Sequence, residues 1–274
     1  MRRPDARAGL VLPAALFMGL LYLLPVLGLL WGSVQTDAGL SLAGYRQFLG
    51  EDYAWTLLAR TVLLSLAAVL ASLALAFPVA LYLRRLSVRW RTVLAVLLLS
   101  PLLTSVVVRT LAWVILLGQQ GVVNAGLQAL GLPALALIYN DAGVVIGLVH
   151  VYFGYMLLCL LTSVLKVDPA QWLAAANLGA GPWRRWWSVI LPQCWPGVAA
   201  GAALVFAQCA SAYVTPVLLG GTRTKVLATE VYDLAMTYLD WHGAAVAAVV
   251  LFGATWLFVS LMSLPARRRA RQSA

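Results

Sequence analysis

The strongest constraint on this chain is a succession of long apolar runs that contain neither Asp nor Glu. They fall at about 10–34, 56–83, 93–117, 143–165, 196–219 and 243–264. Each is near the roughly 20 residues a helix needs to cross the hydrocarbon of a bilayer. Hydrophobic residues make up 63% of the chain and charged ones 10%, against about half and about a quarter in a soluble domain. A soluble fold cannot hide that much apolar surface, so lipid must act as solvent. The pattern predicts an all-α membrane protein of six transmembrane helices, organised as a single domain over residues 1–274. The first run is longer than a signal-peptide core and no small-x-small site precedes a mature domain, so it reads as a retained helix.

The net charge of +10 would suit nucleic acid if it were gathered on a polar domain. It is instead dispersed over chain ends and short loops, which argues against a nucleic-acid partner. Arg2, Arg3 and Arg7, then Arg84, Arg85, Arg89 and Arg91, then Lys166, Arg184 and Arg185, then Arg267, Arg268, Arg269 and Arg271 all fall on one side of a six-helix arrangement. The opposite loops hold Arg46, Arg223 and Lys225 and most of the carboxylates: Asp37, Glu51, Asp52, Asp141, Glu230, Asp233 and Asp240. The positive-inside rule therefore places both termini in the cytoplasm. Cys159, Cys194 and Cys209 lie in or beside apolar runs without metal-ligand spacing and read as structural thiols.

One loop, about 167–195, is unlike the rest. Asp168-Pro169 is a helix start, with Asp able to cap free N–H groups and Pro suited to the first turn. Residues 171–178 are mostly good helix formers, and Gly179 fits a left-handed stop. Gly181-Pro182 restarts a helix. Trp183, Trp186, Trp187 and Ile190 follow at i, i+3, i+4 and i+7, with Arg184, Arg185 and Ser188 on the other side. Pro192 is expected to end that helix, and Pro196-Gly197 to open the next crossing. The expected product is two short helices with a Gly-Ala-Gly elbow against the membrane. The second suits an interfacial belt, and the small residues of the first suit close approach by another protein.

Asp168, Ala174-Ala175, Leu178-Gly179-Ala180, Pro182-Trp183 and the run from Ile190-Leu191-Pro192 to Pro196-Gly197 resemble the cytoplasmic loop signature of ABC-importer permeases. Ser100-Pro101, the Val108–Trp113 run, Gly121-Val122-Val123-Asn124, Thr224-Lys225-Val226-Leu227 and Asp240-Trp241 look like the spermidine/putrescine-type subfamily. The resemblance runs over roughly residues 45–260 and implies a type I importer permease in the bacterial inner membrane. It implies a second, homologous permease, a cytoplasmic ABC ATPase dimer that binds ATP and Mg, and a periplasmic solute-binding protein. The loop then becomes a coupling helix seated on the ATPase, through Asp168, Leu173, Ala174, Ala175, Leu178, Gly179, Ala180, Pro182 and Trp183. Where the family has Glu before the paired alanines, this chain has Leu173. Leucine supplies packing only, so coupling through the two permeases would be asymmetric if the second retains the acid.

Arg109 stands inside the third apolar run, where a charge is costly and flags function. Its bland role is to snorkel outward or to pair with a backbone carbonyl or a partner carboxylate, and its sharper role is in a gate or the pathway. With Trp113, Tyr152, Phe153, Tyr155, Ser211 and Tyr213 it makes up the candidate translocation path. Aromatic faces there suit a cationic solute such as a polyamine. No phosphate-binding loop, metal-ligand cluster or nucleophile–base pair is present in the sequence, so the chain is expected to hold no cofactor or metal and to hydrolyse nothing. A self-sufficient secondary transporter or channel, the rival reading, would need carboxylates in the membrane, and the runs have none.

Overall fold

The computed structural model describes the backbone of residues 6–36 and 39–272. Asp37 and the side chains of Arg2, Arg3, Arg7 and Arg267–Arg271 lie outside the described residues, as do those of Pro182 and Trp183. The elements are α1 (Ala6–Val34), β1 (Gln35–Thr36), β2 (Gly39–Leu40), α2 (Ala43–Gly50), α3 (Asp52–Arg85), α4 (Val88–Leu99), α5 (Val106–Leu117), α6 (Val122–Ala129), α7 (Asp141–Lys166), α8 (Pro169–Asn177), α9 (Pro182–Arg185), α10 (Leu191–Ala210), α11 (Leu227–Tyr232) and α12 (Trp241–Gln272). β1 and β2 form a small antiparallel hairpin with Gln35 opposite Leu40 and Thr36 opposite Gly39.

The chain divides into two compact units. The first takes residues 1–55 and 230–250. In it Tyr45 Oη donates to Ser33 Oγ (2.6 Å), whose hydroxyl bonds the Leu30 carbonyl (2.7 Å). Tyr53 Oη donates to Glu230 Oε2 at 2.9 Å. α1 leaves Leu, Phe and Tyr side chains exposed on all sides, as a helix solvated by lipid does.

The second unit, residues 56–229 and 251–274, contains the core. Its centre is the pairing of α7 with α10. A Cβ on Gly197 would stand 2.6 Å from the Cys159 carbonyl oxygen, and one on Gly201 would stand 2.7 Å from Met156 Sδ. The two glycines thus let the helix backbones approach, the packing that small residues four apart allow in membrane proteins. α3 lays Leu64, Ala68, Ser72, Ala76, Ala80 and Leu83 into the same core, a buried stripe of helical spacing. Phe206 stacks on Phe258 of α12 with ring centroids 3.8 Å apart.

Five helical stretches are long and apolar enough to cross a membrane among the described residues: Ala15–Val34, Asp52–Arg85, Val106–Ala129, Asp141–Lys166 and Trp241–Met262. The expected third crossing, 93–117, is not one helix. α4 ends at Leu99, a 3-10 turn follows at Ser100–Leu103, Thr104 and Ser105 are extended, and α5 begins at Val106. The cause is Pro101, which has no N–H to offer the Leu97 carbonyl. Ser100 Oγ bonds that carbonyl instead, at 2.8 Å. Val106–Ala129 is itself interrupted by a turn before α6. The expected fifth crossing, 196–219, becomes the 20-residue α10 followed by a separate π turn at Pro216–Gly220. Pro192, Gln193 and Pro196 in its first turns shorten the uninterrupted apolar stretch of α10.

Candidate functional site: the 167–195 loop and the interior around Arg109

The local chemistry of the loop folds as its residues direct. Asp168 Oδ1 accepts from the Ala170 N–H at 2.8 Å and caps α8, with Pro169 in the first turn. At the other end Gly179 has φ +77. Its N–H bonds the Ala176 carbonyl (2.9 Å), and the Ala180 N–H bonds the Ala175 carbonyl (3.0 Å). This crossed pair is the Schellman motif, which requires a left-handed residue at the turn. No atom lies within 4 Å of where a Gly179 Cβ would be, so only backbone conformation selects glycine there.

The loop is tied down at its edges. Arg84 Nη2 donates to the Val167 carbonyl at 2.6 Å, closing the C-terminus of α7 and supplying the cation that a helix end favours. Gln193 Nε2 donates to Gln171 Oε1 at 2.5 Å, joining α10 to α8. Between these ties α8 displays apolar side chains outward: Leu173 is 61% exposed and Leu178 is 88% exposed. Ala174 is exposed, while Ala175 and Ala180 are half-buried.

Beyond the elbow the structure departs from expectation. Pro192 does not end a helix. α9 runs into a π turn at Trp186–Ile190 and on into α10, the Leu191 N–H bonding the Trp186 carbonyl. The wider turn admits a proline that an α ladder would resist. It also breaks the expected tryptophan stripe. Trp186 turns inward, edge-on to Phe77 at 5.3 Å, and Ile190 is buried, whereas Trp187 is exposed.

The candidate path residues are only partly brought together. Arg109 is 9% exposed, and its Nη1 donates to the Val151 carbonyl at 3.3 Å. Trp113 meets the His150 ring edge-on at 5.5 Å. Trp113 and Phe153 line an apolar cleft of about 560 Å³ together with Leu97, Pro101, His150 and Gly154. Tyr152 and Tyr155 form a tilted pair at 6.3 Å and do not line that cleft. Ser211 is exposed with its hydroxyl turned back to the Ala207 carbonyl at 2.9 Å, and Tyr213 is half-buried. These last four residues therefore do not border the cleft that Trp113 lines.

Sequence reading missed the work of Asn124. Fully buried, it donates to the Gly118 carbonyl (3.1 Å) and the Leu135 carbonyl (3.0 Å), and accepts from the Leu135 N–H (2.8 Å). It clips the segment after α6 back onto the turn after α5. Gly121 belongs to the same device, since a Cβ there would stand 2.5 Å from the Ile115 carbonyl oxygen. The detectable signal was a polar Asn three residues after Gly in an otherwise apolar stretch.

The arrangement is that of a helical membrane protein in which a capped loop helix turns apolar side chains outward. Residues 90–270 match the family described as the binding-protein-dependent transport system inner membrane component, and the chain belongs to that family. It is 28% identical over 213 residues to the spermidine/putrescine transport system permease protein PotB of Escherichia coli (strain K12), covering 77% of each chain. It is 32% identical over 180 residues to the molybdenum transport system permease protein ModB of Mycobacterium bovis, covering 65% of this chain and 66% of that one. Among solved structures, a bacterial ABC transporter involved in the import of the acidic polysaccharide alginate has a chain that superposes with a TM-score of 0.79, over 95% of this chain and 94% of that chain, at 18% identity. The same kind of transporter in complex with an alginate pentasaccharide-bound periplasmic protein gives a TM-score of 0.75 at 20% identity, over 96% of each chain.

Proposed function

We propose that this chain carries a small organic solute, polyamine-like or related, across the bacterial inner membrane as one of two permeases in an ATP-driven importer. Six crossings place both termini and the 167–195 loop in the cytoplasm, and the whole chain acts as one permease domain. ATP and Mg bind to a separate ATPase dimer. A periplasmic protein delivers the solute, as the complexed alginate importer and the PotB relative encourage. ATP-driven closure of the ATPases draws the coupling loops together and opens the path outward. Hydrolysis resets it.

The observation that carries the reading is α8. It is capped at both ends, tied at its edges to α3 through Arg84 and to α10 through Gln193, and leaves Leu173 and Leu178 exposed. An apolar surface held out on a rigid, capped helix is what a docking element needs. Asp168, Leu173, Ala174, Ala175, Leu178, Gly179, Ala180, Pro182 and Trp183 are the residues that seat it. In the interior, the hydrogen bond of Arg109 to the Val151 carbonyl supports a structural role for it. Of the candidate path, Trp113 and Phe153 border the apolar cleft of the interior.

Co-purification tests the reading. The tagged chain should bring down an ABC ATPase and a second permease, and Leu178→Asp should weaken recovery of the ATPase without affecting membrane insertion. A chain that transports alone, with no ATPase recovered, would instead be a secondary transporter or channel.

A further inference from the structure

We infer that the break at Leu103–Ser105 lines the water-filled translocation path, and that the hydroxyls of Thr104 and Ser105 are polar groups the solute meets at mid-membrane. The inference rests on the permease reading above and identifies part of its route.

The depth of the break is set by contacts to α7. Leu102 lies over Gly154, where a Cβ would stand 2.9 Å from Leu102 carbons. Gly154 is in the middle of the 26-residue α7, one of the apolar spans. Just beyond the break, Arg109 bonds the Val151 carbonyl on the same helix. The irregular backbone is therefore held near the centre of the bilayer, well away from either headgroup layer.

Its polar groups are closed only in part within the chain. Thr104 Oγ1 and the Thr104 N–H both turn to the Pro101 carbonyl, at 2.7 and 3.1 Å. Ser105 makes no side-chain cap to α5. The first helical bond of α5 runs from the Arg109 N–H to the Ser105 carbonyl (3.1 Å), so the N–H groups of Val106, Val107 and Val108 have no partner within the helix. Leu103 is 90% exposed, and Thr104 and Ser105 are exposed with it.

Lipid cannot satisfy such groups. Non-helical backbone at membrane depth is tolerated only where protein buries it or where it borders water. This chain does not bury it. The side of the break that faces the chain's own core is the apolar one, where Leu97, Leu98, Pro101 and Leu102 border the cleft with Phe153. The polar side faces away from that core. In a permease pair, the water-filled route is the surface that accepts it.

The experiment is cysteine accessibility in the assembled complex. Cys159, Cys194 and Cys209 are first replaced by Ala, and Leu103→Cys, Thr104→Cys and Ser105→Cys are made singly. Leu63→Cys and Leu257→Cys, exposed positions on regular helix, serve as references. A membrane-impermeant, charged thiosulfonate is applied to complexes without nucleotide and to complexes trapped with ATP and vanadate. Thr104→Cys and Ser105→Cys should label well ahead of both references in at least one state, and excess solute should slow the labelling. Labelling no faster than the references in either state overturns the inference. Because each preparation is also assayed for bound ATPase, that result in an intact complex leaves the permease reading standing. Absence of the ATPase defeats the permease reading itself.

Discussion

Gly179 offers a clean test of the loop as a mechanical joint. At φ +77 a residue with a Cβ pays roughly 1–2 kcal/mol for left-handed geometry, and a β-branched one suffers most. Nothing lies within 4 Å of the added carbon, so no clash confuses the comparison. Gly179→Ala and Gly179→Val therefore strain the backbone alone, while Gly179→Asn, whose side chain tolerates this conformation, strains it less. A penalty of 1–2 kcal/mol shifts a two-state equilibrium by about 5–30-fold, here away from the elbow closed by the Ala175 and Ala176 carbonyls. The expected order of coupling is Gly, then Asn, then Ala, then Val. All four proteins should insert normally, because the elbow lies outside the apolar spans. The assay is ATPase pull-down, followed by solute-stimulated hydrolysis in proteoliposomes with the loaded binding protein. Parental coupling in Gly179→Val would refute the elbow as the joint. Equal impairment of Asn, Ala and Val would refute left-handed geometry as the reason.

Leu173→Ala should be milder than Gly179→Val in the same assays, since it trims an exposed contact and leaves the elbow intact. Asn124→Ala leaves the Leu135 N–H and two carbonyls without their partner, at about 1–3 kcal/mol for each buried group orphaned, and should lower the midpoint of unfolding in detergent; Asn124→Asp should lower it too, because a carboxylate has no N–H for the Gly118 and Leu135 carbonyls. Arg109→Ala should reduce complex assembly and thermal stability together with transport; normal assembly and hydrolysis with transport abolished would reassign Arg109 to the path. Reporters fused after Arg91, after Arg185 and at the C-terminus should all read cytoplasmic, and a periplasmic signal at Arg185 would remove α8 from reach of any ATPase.

Much of this protein is legible in one dimension because its determinants are local. The apolar runs identify membrane helices because a helix satisfies its own backbone wherever it lies. The two ends of α8 could be read residue by residue, since Asp168, Pro169 and Gly179 act on atoms within a few positions of themselves. What the sequence could not decide is where a helix continues through a proline and where it yields. Pro192 passes through a π turn into α10, whereas Pro101 opens a break. The outcomes differ because each depends on neighbours distant in the chain: Trp186 finds Phe77, and Leu102 finds the bare backbone of Gly154. The division of Trp113 and Phe153 from Tyr152 and Tyr155 is likewise tertiary. All four types suit a path, and only the rotation of α7 against α5 and α10 selects which of them border the cleft. Asn124 makes the same point, for its worth lies in a loop that returns eleven residues later to be held by it.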